Sequence, residues 1–145
     1  MLFNLETKEI AFGSTEQKES VALRYKVLRE PLGLNFEQSD LEKEFEDFHI
    51  AAFHNTELVG ILLLKPNKDS IKMRQVAVDN FWQGKGIGKA MVFFAHNFAF
   101  DKGYKKIELH ARETAVPFYL SLGYAIQGEP FYEVGVPHKK MAIIL

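Results

Sequence analysis

The sequence has no cysteine among its 145 residues. That absence excludes a disulfide framework, a thiolate zinc site and a cysteine nucleophile. An excess of charge of one sign is also lacking, because 18 Lys and Arg residues stand against 19 Asp and Glu residues. Proteins held to nucleic acid mainly by phosphate contacts need a strongly basic surface. We therefore expect no nucleic-acid partner.

Long apolar runs, repeats and linkers are missing as well. No stretch approaches the roughly 20 apolar residues of a membrane helix, and residues 1–9 show no signal-peptide pattern. We therefore expect a cytoplasmic protein with no membrane partner. The apolar fraction of 47% and the charged fraction of 26% are typical of a globular chain. The length suits one domain, and we assign residues 1–145 to it.

The pattern of polar and apolar residues predicts a mixture of helices and strands. A capping box from Ser14 to Gln17 indicates the start of a helix that ends at Pro31 and Gly33. A strand–loop–helix–strand unit in the middle of the chain predicts a single α/β or α+β domain. Further helices are predicted around residues 41–45, 87–102 and 117–122, strands at 49–54, 57–65, 70–78, 106–111, 124–127 and 138–145, and a turn at 66–69.

The most informative segment is the loop within V-A-V-D-N-F-W-Q-G-K-G-I-G-K-A, residues 76–90. Its three alternating glycines lie between a strand and a helix. Glycine permits a positive φ and lets a ligand approach the backbone closely. Consecutive N–H groups in such a turn, together with a helix N-terminus, attract an anion. Because Lys85 and Lys89 add full charges, a ligand that carries phosphate is indicated.

The spacing of this loop separates the phosphate-binding classes. A P-loop requires Gly-x-x-x-x-Gly-Lys-Ser/Thr, but Gln83 occupies the first glycine position and Ala90 lacks the hydroxyl. A dinucleotide fingerprint requires a third Gly or Ala, which Lys89 and Met91 replace in the two possible frames. The remaining match is Gln-x-x-Gly-x-Gly, formed by Gln83, Gly86 and Gly88.

This pattern resembles the pyrophosphate-binding signature of the GNAT-family N-acyltransferases. The segment F-Y-L-S-L-G-Y, residues 118–124, resembles the Phe-Tyr-x-x-x-Gly-Phe/Tyr helix and turn of that family. Residues 133–141 and 23–29 resemble the small ElaA-like branch. The resemblance covers most of the chain, from about Val21 to Met141.

The resemblance implies acetyl-CoA as acyl donor and no metal. It also implies a mixed, mostly antiparallel central sheet flanked by helices, whose strands splay at the acyl-CoA site. Backbone N–H groups of the loop would hold the pyrophosphate, and the preceding strand would pair with the pantetheine. The implied acyl-CoA-binding residues are Val76, Ala77, Val78, Gln83, Gly84, Lys85, Gly86, Ile87, Gly88 and Lys89.

The resemblance also implies catalytic roles. Tyr119 matches the general acid that protonates the departing thiolate, although a half-buried tyrosine beside Phe118 is the alternative. Some relatives carry a basic carboxylate or His on the strand before the loop, and residues 70–75 offer neither. Glu108 and His110 lie on one face of the next strand and are the alternative bases.

Four further residues are candidates for acceptor binding. Arg24 and Arg29 lie on the first helix, which borders the acceptor groove in this family, although Arg29 is equally typical of a helix C-terminus. Glu133 and His138 flank the late turn, where a solvated acid and a strand-start histidine are the alternative interpretations.

We expect an enzyme that transfers an acetyl group from acetyl-CoA to a primary amine by direct attack on the thioester. A non-catalytic acyl-CoA-binding module and an interaction domain without a nucleotide ligand are the alternatives. The acceptor is a small-molecule or peptide amine whose identity the sequence leaves open. The sequence leaves the oligomeric state open. A homodimer is one possibility, because dimers are common among relatives.

Overall fold

The computed structural model of the chain describes residues 4–145, which form one seven-stranded sheet. The strand order is β1-β2-β3-β4-β5-β7-β6, and every neighbouring pair is antiparallel except β4 with β5. This arrangement confirms the predicted mixed, mostly antiparallel sheet. The strands are β1 (Leu5–Ile10), β2 (Phe48–His54), β3 (Glu57–Asn67), β4 (Ser70–Val78), β5 (Lys106–Arg112), β6 (Ala125–Glu133) and β7 (Val136–Ile144).

Four α-helices occur in the described part of the chain. They are α1 (Thr15–Arg24), α2 (Gln38–Glu42), α3 (Ile87–Asp101) and α4 (Val116–Ser121). A π-helical turn (Tyr25–Arg29) and a 3-10 turn (Glu30–Leu32) extend α1 to Gly33, and a 3-10 turn (Lys43–Glu46) extends α2. Across residues 4–145, no helix combines the length and apolar character that crossing a membrane requires.

Apolar side chains on both faces of the sheet form two cores. Along β3, Leu62 and Leu64 join the core that contains α3, whereas Ile61 and Leu63 join the core that contains Leu23 of α1. All four of these β3 side chains are fully buried, as expected for a strand covered on both faces. Helices α1 and α3 therefore lie on opposite faces of the sheet.

A glycine in β3 sets how closely α3 approaches the sheet. A Cβ atom on Gly60 would lie 2.8 Å from Sδ and 2.9 Å from Cε of Met91. No side chain fits there without displacing Met91, which is fully buried in the core. The close approach fixes the position of the N-terminal end of α3, where the glycine loop lies.

Strands β4 and β5 separate along part of their length. Their parallel pairing runs from Ser70↔Lys106 to Met73↔Leu109 and stops there. Beyond Met73, β4 continues to pair with β3, and beyond Leu109, β5 continues to pair with β7. The facing edges of β4 and β5 are thus open towards each other, which confirms the predicted splay.

A β-bulge in β4 lies where the two strands separate. Ile61 pairs with Ala77 and Leu63 with Arg74, so two β4 residues oppose one residue of β3. One of the two, Gln75, has a φ of 55°, which is uncommon for a residue with a side chain. Its side-chain oxygen accepts a hydrogen bond from Nε of Arg24 at 3.3 Å.

A buried ion pair holds Arg24 in place beside the bulge. Its Nη1 and Nη2 atoms each lie 2.8 Å from a carboxylate oxygen of Glu44, and both side chains are almost completely buried. The bidentate geometry satisfies both charges in the interior. The pair therefore connects α1 and the turn after α2 to the β4 bulge.

The structure departs from the predicted elements in three places. Strand β1 was not predicted. It lies at the edge of the sheet, its residues are mostly exposed or half-buried, and its charged side chains obscure the alternation of polar and apolar residues. The predicted turn at 66–69 is wrong in its first half, since β3 continues through Asn67 and only Lys68 and Asp69 turn. Strand β6 is longer than residues 124–127, because a bulge after Gln127 interrupts its pattern.

We predict that Glu44→Gln lowers the free energy of unfolding by about 3–5 kcal/mol, because the substitution leaves the Arg24 charge buried without a partner. Urea denaturation of the wild-type and variant proteins measures the difference. Glu46→Gln, at an exposed neighbouring position, is the matched control and should change stability by less than about 0.5 kcal/mol. Equal stability of the two variants would contradict the role of the pair.

Candidate active site

The loop before α3 presents a row of backbone N–H groups. Gly84 and Gly86 have φ values of 76° and 87°, and a Cβ atom on either would point into open space. Within residues 4–145, none of the N–H groups of residues 84–89 donates to a protein acceptor; the first helical bond runs from Ala90 N to Gly86 O. These six donors, together with the positive end of α3, suit an anionic ligand.

The side chain of Gln83 supports this loop through two hydrogen bonds. Its Nε2 atom donates to the carbonyl oxygen of Val78 at 3.0 Å and to Oδ1 of Asn80 at 3.1 Å. The contacts join the end of β4 to the glycine turn. Lys85 and Lys89 are exposed at the rim of the loop, and neither belongs to an ion pair of the described chain. The loop therefore combines a supported backbone with two exposed charges.

The splay between β4 and β5 opens into a cavity of about 170 Å³. Met73 to Val76 form one wall, and Leu109 to Arg112 form the other. Leu28 and Arg29 come from the end of the first helical segment. The remaining lining residues are Thr114, Ala115, Tyr119, Glu133, Val134 and His138.

Tyr119 reaches this cavity from α4. Only 6% of the residue is exposed, and its ring packs edge-on against Phe118 and Tyr124. Burial raises the pKa of Tyr119 above its usual value of 10.0. The phenol therefore keeps its proton at neutral and mildly alkaline pH, as a proton donor requires.

A histidine–carboxylate pair forms the opposite side of the cavity. Nδ1 of His110 lies 2.9 Å from Oε1 of Glu133, and Nε2 of His138 lies 3.7 Å from Oε2 of the same carboxylate. Partial burial alone would raise the pKa of Glu133. The hydrogen bond from His110 and the charges of His110, His138 and Lys72 outweigh burial and lower that pKa. Glu133 is thus a carboxylate at neutral pH.

This pairing fixes which nitrogen of His110 is available for chemistry. An ionised carboxylate only accepts hydrogen bonds, so Nδ1 of His110 carries the proton. In the neutral ring Nε2 then has a lone pair, and this atom has no protein partner among residues 4–145. His138 is held separately, since its Nδ1 donates to the carbonyl oxygen of Val136 at 2.9 Å.

Two candidate residues lie away from the cavity. Glu108 shares a strand face with His110 but pairs with Lys106 at 2.7 Å, and this hydrogen bond lowers the pKa of Glu108. Arg24 is fully buried against Glu44 and Gln75. It supports the wall of the cavity instead of facing it.

Arg29 and Arg112 meet at a single backbone oxygen. Nη1 of Arg29 lies 3.3 Å and Nη2 of Arg112 lies 2.8 Å from the carbonyl oxygen of Leu28. Arg112 is not among the candidate residues that the sequence indicates. The contact between β5 and the first helix depends on tertiary structure, so no sequence pattern reveals it.

A bound metal ion requires several His, Asp or Glu side chains close together. In the chain from residue 4 onwards, no three His, Asp or Glu side chains come together in such an arrangement.

The cavity, the splayed strands and the glycine loop can be compared with known proteins. The family model for the acetyltransferase (GNAT) domain matches residues 15–145. The chain belongs to the GNAT acetyltransferase family. The N-acetyltransferase YjcF of Bacillus subtilis, itself uncharacterized, is 26% identical over 133 residues, which cover 91% of this chain and 95% of YjcF.

Solved structures of low identity share the fold. A protein from Lactobacillus plantarum gives a TM-score of 0.84 at 23% identity, covering 97% of this chain and 98% of its own. Escherichia coli ElaA gives a TM-score of 0.81 at 22% identity, covering 95% of this chain and 98% of ElaA. A GNAT acetyltransferase from Elizabethkingia anophelis with acetyl-CoA bound gives 0.77 at 18% identity, covering 99% of each chain.

We predict that Gly86→Glu weakens acetyl-CoA binding by about a hundredfold or more, because a carboxylate placed among the loop amides repels the diphosphate and occupies its space. Isothermal titration calorimetry measures the affinity. Gly103→Glu is the matched control, because Gly103 follows the other end of α3 with a φ of 91° and equally open surroundings. Loss of affinity in the control alone, or in neither variant, would contradict a role of the loop in acetyl-CoA binding.

Proposed function

We propose that the protein transfers the acetyl group of acetyl-CoA to a primary amine of a small molecule or peptide. The observation that carries this proposal is the cavity between β4 and β5, in which a protonated phenol and a histidine with a free ring nitrogen face one space. Family membership supports acetyl transfer in general. The cytoplasmic location and the choice between monomer and homodimer stay predictions.

The donor would lie along the open edge of β4. Residues 84–89 supply six N–H groups that have no partner in the described part of the chain and can bind the diphosphate, with Lys85 and Lys89 at the rim and Gln83 holding the turn. The edge of Val76 to Val78 is not paired with β5, so its backbone can hydrogen-bond to the pantetheine. Backbone recognition of this kind needs strand-forming residues but no particular side chain.

His110 is the proposed base. A primary alkylamine with a pKa near 10 is mostly protonated at neutral pH and must lose a proton before it attacks. Nε2 of His110 can accept that proton, because Nδ1 is engaged by Glu133. The resulting imidazolium is stabilised by the Glu133 carboxylate at 2.9 Å and gains a charge-assisted hydrogen bond. Glu133 is a positioning residue in this scheme.

Tyr119 is the proposed acid. The amine nitrogen forms a bond to the acetyl carbon, and the carbon–sulfur bond of the thioester breaks. The phenol of Tyr119 gives its proton to the departing sulfur, and the nitrogen, which becomes cationic as it bonds to the acetyl carbon, releases a proton that restores the phenol. The proton that His110 took from the ammonium group before the attack passes to solvent. The acetyl group passes directly between the two substrates, with no covalent bond to the protein.

We predict that Tyr119→Phe lowers kcat by about tenfold to a thousandfold, because the thiolate then leaves without a proton donor. Release of free thiol from acetyl-CoA with a panel of primary amines measures the rate, and KM for acetyl-CoA should change little. Tyr132→Phe, on the exposed part of β6, is the control and should retain full activity. Equal losses in kcat and in acetyl-CoA affinity would indicate a packing role for Tyr119.

The same assay separates the proposal from a non-catalytic acyl-CoA-binding module. The module hypothesis is favoured by the lack of a carboxylate or histidine in residues 70–75. Acetyl-CoA binding without thiol release for any amine would support it. Amine-dependent thiol release by the wild-type protein would exclude it.

We predict that His110→Gln reduces kcat/KM for the amine much more at pH 7 than at pH 9.5. At the higher pH a larger fraction of the amine is already neutral, so the contribution of a base diminishes. Steady-state rates across this pH range measure the effect. A loss of equal size at both pH values would indicate that His110 acts only in packing.

A further inference from the structure

The cavity contains two cationic side chains that the acyl-transfer scheme leaves unused. Arg29 and Arg112 are both half-buried and both line the cavity. Within residues 4–145 neither takes part in an ion pair, whereas Arg24 and Arg74 of the same region pair with Glu44 and Asp47. The guanidinium groups of Arg29 and Arg112 are therefore charges of this space without a direct carboxylate partner in the described part of the chain.

Geometry brings these two charges together. Both donate to the carbonyl oxygen of Leu28, Arg29 from the first helical segment and Arg112 from the end of β5. A neutral carbonyl group satisfies one donor of each guanidinium and balances no charge. Burial lowers the pKa of Arg29, and the charge of Arg112 lowers it further. Two half-buried like charges held this close are unfavourable unless an anion joins them.

The carboxylate in the cavity wall does not supply that anion. Glu133 attracts both arginines at longer range, as its opposing effect on the pKa of each indicates. Its oxygens are taken up by His110 at 2.9 Å and by His138 at 3.7 Å. The side chains of Arg29 and Arg112 therefore keep donors for a ligand.

The diphosphate of acetyl-CoA does not supply an anion between the two arginines either. The proposed diphosphate site is the loop of residues 83–89, and none of these residues lines the cavity. Arg29 instead comes from the π-helical turn after α1, and Arg112 is the last residue of β5. An anion between the arginines would thus belong to the acceptor.

We propose that the acceptor amine carries an anionic group, a carboxylate or a phosphate, which Arg29 and Arg112 bind together. This inference rests on the proposed function, since it names the acceptor class for the same site. The fork of each guanidinium suits the paired oxygens of either anion. Binding the anion would place the amine nitrogen towards His110, and the two substrates would meet in the splay.

Matched pairs of amines test the inference with the wild-type protein. The pairs are β-alanine with propylamine, 4-aminobutanoate with butylamine, and O-phosphoethanolamine with ethanolamine. We expect kcat/KM to be at least about tenfold higher for the anionic member of one pair or more, as a charge-assisted hydrogen bond would give. The carboxylate and phosphate pairs distinguish the two kinds of anion.

Variants then connect any preference to the two arginines. Arg29→Gln and Arg112→Gln should each reduce the ratio of kcat/KM for the anionic member to kcat/KM for its neutral partner about tenfold. Lys18→Gln, at an exposed position of α1, should keep the full preference. Thermal unfolding of each variant checks that the fold is retained.

The outcomes separate the two proposals. Acetylation of neutral amines as fast as, or faster than, the anionic partner in every pair would overturn the anionic-acceptor inference and leave acetyl transfer standing. A preference that persists unchanged in both arginine variants would overturn the assignment of Arg29 and Arg112. Acetyl-CoA binding without acetylation of any amine would overturn the proposed function, and the inference with it.

Discussion

Six consecutive backbone N–H groups that have no acceptor within residues 4–145 are the feature on which the proposed chemistry depends. An unpaired N–H group costs free energy when it is buried, but residues 84–89 lie mostly at the surface, where water or a ligand can satisfy them. The loop keeps this form because Gly84 and Gly86 adopt positive φ values and because Gln83 joins the turn to β4. The close contact of Gly60 with Met91 then fixes α3 behind the loop.

The splay of β4 and β5 provides the second constraint. Parallel pairing ends after Met73 and Leu109, and the bulge at Gln75 turns β4 away from its neighbour. The Arg24–Glu44 pair supports that bulge from the first helical layer. Features that are distant in sequence, the end of α1, the turn after α2 and the middle of β4, thus cooperate to keep one cavity open.

Charge is distributed unevenly around this cavity. Glu133 is tied to His110 and His138, and its lowered pKa keeps it ionised at neutral pH. Arg29 and Arg112 meet at a neutral oxygen, and within residues 4–145 neither forms an ion pair with a carboxylate. The same space therefore holds a histidine beside a carboxylate and, separately, a pair of cations. The groups that we propose as acid, base and anion site are thus distinct within one cavity.

Local signals in the sequence were sufficient for most of the fold. The capping box at Ser14, the strands at 49–54 and 57–65 and the glycine loop each depend on neighbouring residues, and all of them occur in the structure. The family resemblance added the splay, which the strand pairing confirms.

Contacts between distant elements could not be predicted in the same way. His110 and Glu133 were each candidates, but their contact joins β5 to the end of β6, two strands that both pair with β7. Arg24 and Arg29 lie five residues apart and looked equivalent, yet one is buried against Glu44 and the other faces the cavity. Helical spacing alone does not distinguish them.

The central claim, that loop amides hold the diphosphate, is tested most directly by amide chemical shifts. A titration of the ¹⁵N-labelled protein with coenzyme A and, separately, with pantetheine isolates the diphosphate, which pantetheine lacks. The account predicts that the amide signals of residues 84–89 shift strongly with coenzyme A and little with pantetheine. Loop signals that stay unmoved while coenzyme A shifts signals elsewhere, or that respond equally to both compounds, would contradict it.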